Sequence, residues 1–164
     1  MGTTEWTVMG MELTTQRCLI RNMVGTDAAD LYRVLSDAHV MLYLEPPFDM
    51  ARTKEFIRSA GLCEPPLVYV IVWKETGNVI GHAIFHAYEQ NDYEIGWVLG
   101  RDYWGRGIAD EVTKALIRYA GDLGVTGCVI ACDARQIASK KIAIKNGFVY
   151  QGQSDGLERY RCVL

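Results

Sequence analysis

Residues 93–132 place a strand, a glycine-bearing loop, a long amphipathic helix and a second strand in direct succession. Neither an all-helical nor an all-strand architecture accommodates that order. Tyr93-Glu94-Ile95-Gly96-Trp97-Val98-Leu99 follows the turn signal Asn91-Asp92 and is rich in strand-forming residues. Ile108, Val112, Ala115, Leu116, Tyr119 and Leu123 then fall on one helical face, with polar residues opposite. Residues 125–132 form a short apolar run of the kind buried on both sides of a sheet. Such a unit requires a mixed α/β fold.

The flanking chain extends this order. Residues 16–21 read as a strand through Cys18, Leu19 and Ile20. Thr26 or Asp27 caps a helix carried by Leu31, Val34, Leu35 and Ala38. Pro46-Pro47 makes residues 44–48 a loop, and Asp49 caps a second helix that includes Ile57 and Ala60 and stops at Gly61. Residues 67–73 and 79–87 form a hairpin about Gly77-Asn78. Residues 136–145 are a helix ended by Asn146-Gly147, and residues 148–150 and 157–163 close the chain as strands. The order is β-α-α-β-β-β-α-β-α-β-β. With 164 residues, 49% of them apolar, and no repeat or long linker, a single domain over residues 13–164 is expected after a loose segment at 1–12.

Composition narrows the partners. A net charge of −3 offers no basic stripe for nucleic acid. No apolar run approaches the ~20 residues of a membrane helix. The first residues lack a signal peptide's basic and apolar regions, and Trp6 stands where a myristoylation signal has Ser or Thr. A cytoplasmic protein is expected. The five cysteines contain no C-x-x-C pair, and Cys128 and Cys132 share a strand with no histidine nearby. Reduced core thiols, rather than a zinc site, fit that pattern.

Gly105 and Gly107 bare the backbone where the long helix begins. Amide N–H groups there, with about half a positive charge from the helix dipole, suit a diphosphate. A tight strand-to-helix turn needs the same glycines for its dihedral angles, and geometry alone does not separate the two readings.

The two blocks Glu94-Ile95-Gly96-Trp97 and Tyr103-Trp104-Gly105-Arg106-Gly107-Ile108-Ala109-Asp110-Glu111 together resemble the acetyl-CoA motif of GNAT N-acetyltransferases. They are most similar to the ribosomal-protein N-terminal acetyltransferase branch. Ser139-Lys140-Lys141-Ile142-Ala143-Ile144-Lys145-Asn146-Gly147-Phe148 resembles that branch's Asn-x-x-Ser helix ending in Lys-x-Gly-Phe. The chain departs from the pattern at Gln136, where Asn is usual, at Asp110, where Thr or Ser is common, and at Ala143, where many superfamily members carry a tyrosine proton donor.

The resemblance implies one GNAT domain: a central, mostly antiparallel sheet splayed at an acetyl-CoA slot, with helices on both faces. It implies acetyl-CoA as cosubstrate and no metal. The cofactor-binding residues become Trp97, Val98, Leu99, Trp104, Gly105, Arg106, Gly107, Ile108, Ala109, Gln136 and Ser139. Backbone groups near Val98 and Leu99 are expected to meet the pantetheine amides, and one N–H to polarise the thioester carbonyl, a role worth ~3 kcal/mol. Glu94 is implied as general base through water, with an ordinary ion-paired glutamate as the alternative. Ser139 is implied as a partner of the departing sulfur, with a bond to its own helix as the alternative. Lys140, Lys141 and Lys145 meet a 3′-phosphate or form a solvated helix face. His82 and His86 share a strand face and either line the acceptor site or pack. Loop 44–48 either contacts the acceptor or merely connects. The acceptor is a peptide or small-molecule amine, a homodimer stays open, and the alternative function is a catalytically weak acyl-CoA sensor.

Overall fold

The computed structural model describes residues 10–164, so residues 1–9 of the expected loose segment lie outside the described residues. Met11 is already buried in the core, and Glu12 opens the first strand. The strand expected at 16–21 is β2 (Cys18–Arg21), and an additional strand, β1 (Glu12–Thr14), precedes it and pairs with it antiparallel. Thr15 makes the turn: its amide donates to the Cys18 carbonyl and its Oγ1 accepts from the Cys18 amide, both at 2.9 Å.

A single-turn 3₁₀ segment leads into α1 (Ala28–Leu35). The expected continuation through Ala38 does not occur. The Asp37 carboxylate accepts from the His39 amide at 2.9 Å and starts a separate short helix, α2 (Ala38–Met41), which leaves Ala38 exposed. Asp49 caps α3 (Met50–Phe56) through the Arg52 amide at 2.7 Å, and a wider π turn carries the chain to Gly61. There follow β3 (Val68–Trp73), β4 (Val79–Ala87), β5 (Asp92–Leu99), α4 (Ile108–Asp122), β6 (Gly127–Cys132), α5 (Ile137–Lys145), β7 (Val149–Ser154) and β8 (Leu157–Val163). Leu123 falls just past α4 and is 52% exposed, not on the buried stripe.

The strands form one eight-stranded sheet in the order β1-β2-β3-β4-β5-β6-β8-β7. Every pair is antiparallel except β5–β6. Helices cover both faces. Tyr69 and Ile71 of β3 pack with Ile108, Val112, Leu116 and Ala120 of α4. Val68, Val70 and Val72 point the other way, into Leu31, Val34 and Leu35 of α1 and Ile57. Burial on both sides explains why β3 is apolar at every position rather than at alternate ones.

The feature that positions the site is a short parallel pairing. β5 and β6 pair only through Asp92↔Gly127, Tyr93↔Cys128 and Glu94↔Val129. Beyond that, β5 stays with β4 out to Leu99↔Gly81, while β6 stays with β8 out to Cys132↔Glu158. The two strands diverge and a slot opens. The paired end is pinned by Asp92, two residues before the divergence, which accepts from Arg161 Nε at 2.8 Å and Thr126 Oγ1 at 2.9 Å. No helix among the described residues is long and apolar enough to cross a membrane.

Candidate active site

A cavity of about 620 Å3 occupies the slot, bounded by β5, the loop before α4, the start of α5 and the α2 region. It passes through the sheet. Trp97, Leu99 and Ile108 bound it on the α4 face, while Val98 and Val40 belong to the opposite core.

At one end stands the N-terminus of α4. Gly105 and Gly107 have φ of 71° and 77°, so both glycines are required by the backbone as well as by the open approach they leave. Gly107 caps the helix without a side-chain bond, and the first intrahelical bond runs from the Glu111 amide to the Gly107 carbonyl at 3.1 Å. The amides of Ile108, Ala109 and Asp110 precede it and have no helical acceptor, and these three residues line the cavity. The loop is clamped from behind. Arg17 donates to the Arg106 carbonyl and to Glu111, each at 2.9 Å, and Thr15 Oγ1 donates to Glu111 at 2.6 Å.

Along β5 the backbone sorts by parity. Gly100 donates to the Ile80 carbonyl at 2.8 Å, so it faces β4, and by strand alternation Val98 does too. Trp97 and Leu99 therefore turn their amides to the slot, and Val98 contributes its side chain. The Leu99 carbonyl already accepts from the Trp104 indole N–H at 2.9 Å, which leaves one lone pair free.

On the α5 side, Gln136 Oε1 accepts from the Asp133 amide at 2.9 Å and so serves its own helix start, leaving its NH₂ available. Ser139 lines the cavity, and its hydroxyl makes no hydrogen bond among the described residues, contrary to the alternative of a bond to its own helix. Asp110 neither points free into the cavity nor into solvent. It holds Lys114, Asn146 and Lys145 at 2.6, 2.8 and 3.2 Å, joining α4 to α5. Burial alone raises its carboxyl, but these three donors outweigh that and hold it at about 2. Lys145 is thereby fixed at the cavity wall, whereas Lys140 pairs with Glu158 at 3.2 Å and Lys141 is exposed.

Of the expected cofactor-binding residues, Arg106 alone does not line the cavity; its guanidinium lies over the Tyr103 ring at 5.3 Å. Glu94 does not line it either. It sits beside the slot's apex with Oε2 at 2.8 Å from His86 Nε2. His82, on the same strand face, is buried against Phe56 at 5.0 Å, its Nδ1 has no partner among the described residues, and burial pushes its pKa down to about 4. The far wall carries residues that the sequence did not single out, His39, Leu42 and Tyr43, with Leu44 from the proline-rich loop. Arg135 stacks over Tyr43 at 4.6 Å and bridges this wall to the β6–α5 loop. No local signal marks that pair, because its members come from distant segments.

The chain matches the family described as Acetyltransferase (GNAT) domain over residues 17–149. It is 29% identical over 146 residues to the uncharacterized N-acetyltransferase YnaD of Bacillus subtilis (strain 168), covering 87% of this chain and 85% of that one. A GNAT-family acetyltransferase from Bacillus anthracis superimposes with a TM-score of 0.83 at 23% identity, covering 94% of this chain and 98% of the other. RimL, a ribosomal L7/L12 alpha-N-protein acetyltransferase solved in complex with coenzyme A, superimposes with a TM-score of 0.79 at 19% identity, covering 94% and 98%.

Proposed function

The chain belongs to the GNAT family of acetyltransferases, and from that premise we propose that it moves the acetyl group of acetyl-CoA directly onto a primary amine, either a protein N-terminus or a small amine. The observation that carries this reading is the cavity running from the unpaired amides of α4, through the opened sheet, to the α2 wall. Its two ends suit two substrates. RimL, which shares the fold, was solved in complex with coenzyme A, and this supports acetyl-CoA as the cosubstrate.

Each part of the chain has a definable task. The amides of Ile108, Ala109 and Asp110, with the α4 dipole and Lys145, offset a diphosphate's charge. The slot-facing amide of Trp97 or Leu99 donates to the thioester oxygen as it gains charge during attack. Ser139, unengaged among the described residues, donates to sulfur. A covalent enzyme intermediate is not needed, and the chain is poorly equipped for one. No cysteine lines the cavity, and burial pushes the Cys18 and Cys128 thiols up to about 11 and about 12. The test is thiol release from acetyl-CoA over a panel of amines, beside calorimetry with CoA. Amine-dependent release is the expected result. Tight CoA binding with no release on any amine would make the chain an acyl-CoA-binding module instead.

A further inference from the structure

Taking amine acetylation as given, we infer that His86 and Glu94 form one proton-accepting unit. In it His86 is a positioning residue acting through Glu94 and sets the pH at which the amine's proton is taken up. The two residues face each other in register across β4 and β5, at the last paired position before the slot opens. They lie on the sheet face shared by Val98, whose side chain borders the cavity. The cavity's lining along β5 stops at Trp97, and the pair sits beyond it at the closed end of the slot, three residues away along the strand.

The ring's two contacts set its proton count. Nδ1 lies 2.9 Å from the Ala87 carbonyl and Nε2 lies 2.8 Å from Glu94 Oε2, and both oxygens only accept. A neutral ring has one N–H and leaves one of the two contacts without a hydrogen, whichever tautomer it takes. Both are made together only with one more proton on the pair, and that vacancy is the proton acceptor. The Glu94 hydrogen bond raises the imidazole pKa, burial opposes it, and the net is upward from 6.5. Of the elements packed on β4, β5 presents Glu94 to the ring. β3 begins opposite Ile84 and brings no charge to the ring, and Asp30 of α1 is bonded to the Val79 amide at the strand's other end. Glu94 Oε1 has no partner among the described residues and is the oxygen left to meet the amine or a water.

The step balances without a further reactant. The amine nitrogen forms its bond to the acyl carbon, and the C–S bond breaks with its electron pair leaving on sulfur. The amine proton passes through water to Glu94 and so to the one vacant site of the His86–Glu94 pair, and the thiolate takes a proton from solvent. A carboxylate acting alone is ready at every pH above ~4.3. The pair is ready only above the raised imidazole pKa.

Two measurements test it. NMR titration of the His86 ring in the free protein should give a midpoint above 6.5, and Glu94→Gln should lower it. In kcat/KM against pH, wild type should show a limb at that same midpoint besides the limb of the amine itself. Glu94→Gln should move it down, and His86→Gln should abolish it with at least a tenfold fall at the plateau. A His86→Gln profile superimposable on wild type, or a midpoint insensitive to Glu94→Gln, overturns the pairing while leaving acetyl transfer intact. Absence of thiol release by wild type on any amine overturns the transfer reading, and this role with it.

Discussion

His82 is held neutral by burial alone: Phe56 packs on its ring, no charge approaches, and Nδ1 has no partner among the described residues. Its pKa is about 4 folded and about 6.5 unfolded, so between those values the unfolded chain binds the extra proton. Stability must then fall as pH drops through that window. At ~1.4 kcal/mol per unit the loss reaches roughly 3 kcal/mol when complete. Replacing an unpartnered buried polar group with an apolar one is often neutral. His82→Leu should therefore match wild type near pH 7 and exceed its unfolding free energy by ~2–3 kcal/mol near pH 4, measured by urea titration. Parallel stability curves for the two proteins would show that His82 finds a partner when folded. His86 has the opposite sign. Its raised pKa gives stability that is complete below 6.5 and fades as pH rises through the folded value. Two histidines four residues apart on one strand face thus differ because one meets a carboxylate and the other does not. The even spacing of His82 and His86 was legible in the sequence. Their unlike fates were not, since those depend on strand register: the turn over residues 88–91 sets 82 against 98 and 86 against 94.

At the scale of elements, two backbone features shape the site. The first is the start of α4, whose early amides need an acceptor from outside the helix. Proline in a helix's first turn removes an N–H that had no helical partner anyway. Ala109→Pro should keep the fold and weaken CoA binding roughly tenfold to a hundredfold, the range for a charge-assisted hydrogen bond. Calorimetry showing unchanged affinity in a normally folded variant would place the diphosphate elsewhere. The second is Gly81, where an added Cβ would lie 2.0 Å from the Val98 carbonyl and 3.0 Å from Leu99 Cα. Backbone cannot swing aside like a side chain, so Gly81→Ala should displace β5 at the slot, with a loss of ~1–3 kcal/mol in stability and weaker CoA binding. Gly25→Ala, with nothing within 4 Å of the new methyl, is the control. Elements with local punctuation were legible in advance: the Asp49 cap, the Gly77-Asn78 turn, and the Asn146-Gly147 stop. β1 escaped notice because Glu12, Leu13 and Thr14 are too few to show a period, and α2 because its start depends on one side-chain bond from Asp37. The phosphate loop was visible in Gly105 and Gly107, but not its clamp, because Arg17 reaches it only after β2 has joined the sheet beside β3.

The whole molecule is two cores separated by one sheet, and the slot is where the sheet no longer keeps them apart. A ligand filling it touches α4 and Leu99 on one face and Val40 with the α2 wall on the other. It should therefore stabilise both halves together. Binding only to the folded state adds about 2.7 kcal/mol at a hundredfold excess over Kd. For a domain of this size each kcal/mol raises Tm by ~2–4 °C, so CoA should raise it by roughly 5–10 °C. Length of ligand gives the control. ATP carries phosphates but no pantetheine, so at matched concentration it should stabilise less, and in hydrogen exchange it should protect only the first turn of α4. CoA should extend protection along residues 97–99 and across to residues 40–44, leaving β1 and β7 at the sheet's edges with the global rise alone. Equal shifts from ATP and CoA would mean that the slot beyond the phosphate loop is unused. Protection by CoA that leaves residues 40–44 unchanged would mean that the ligand stays on the α4 face and the two cores are not joined by it.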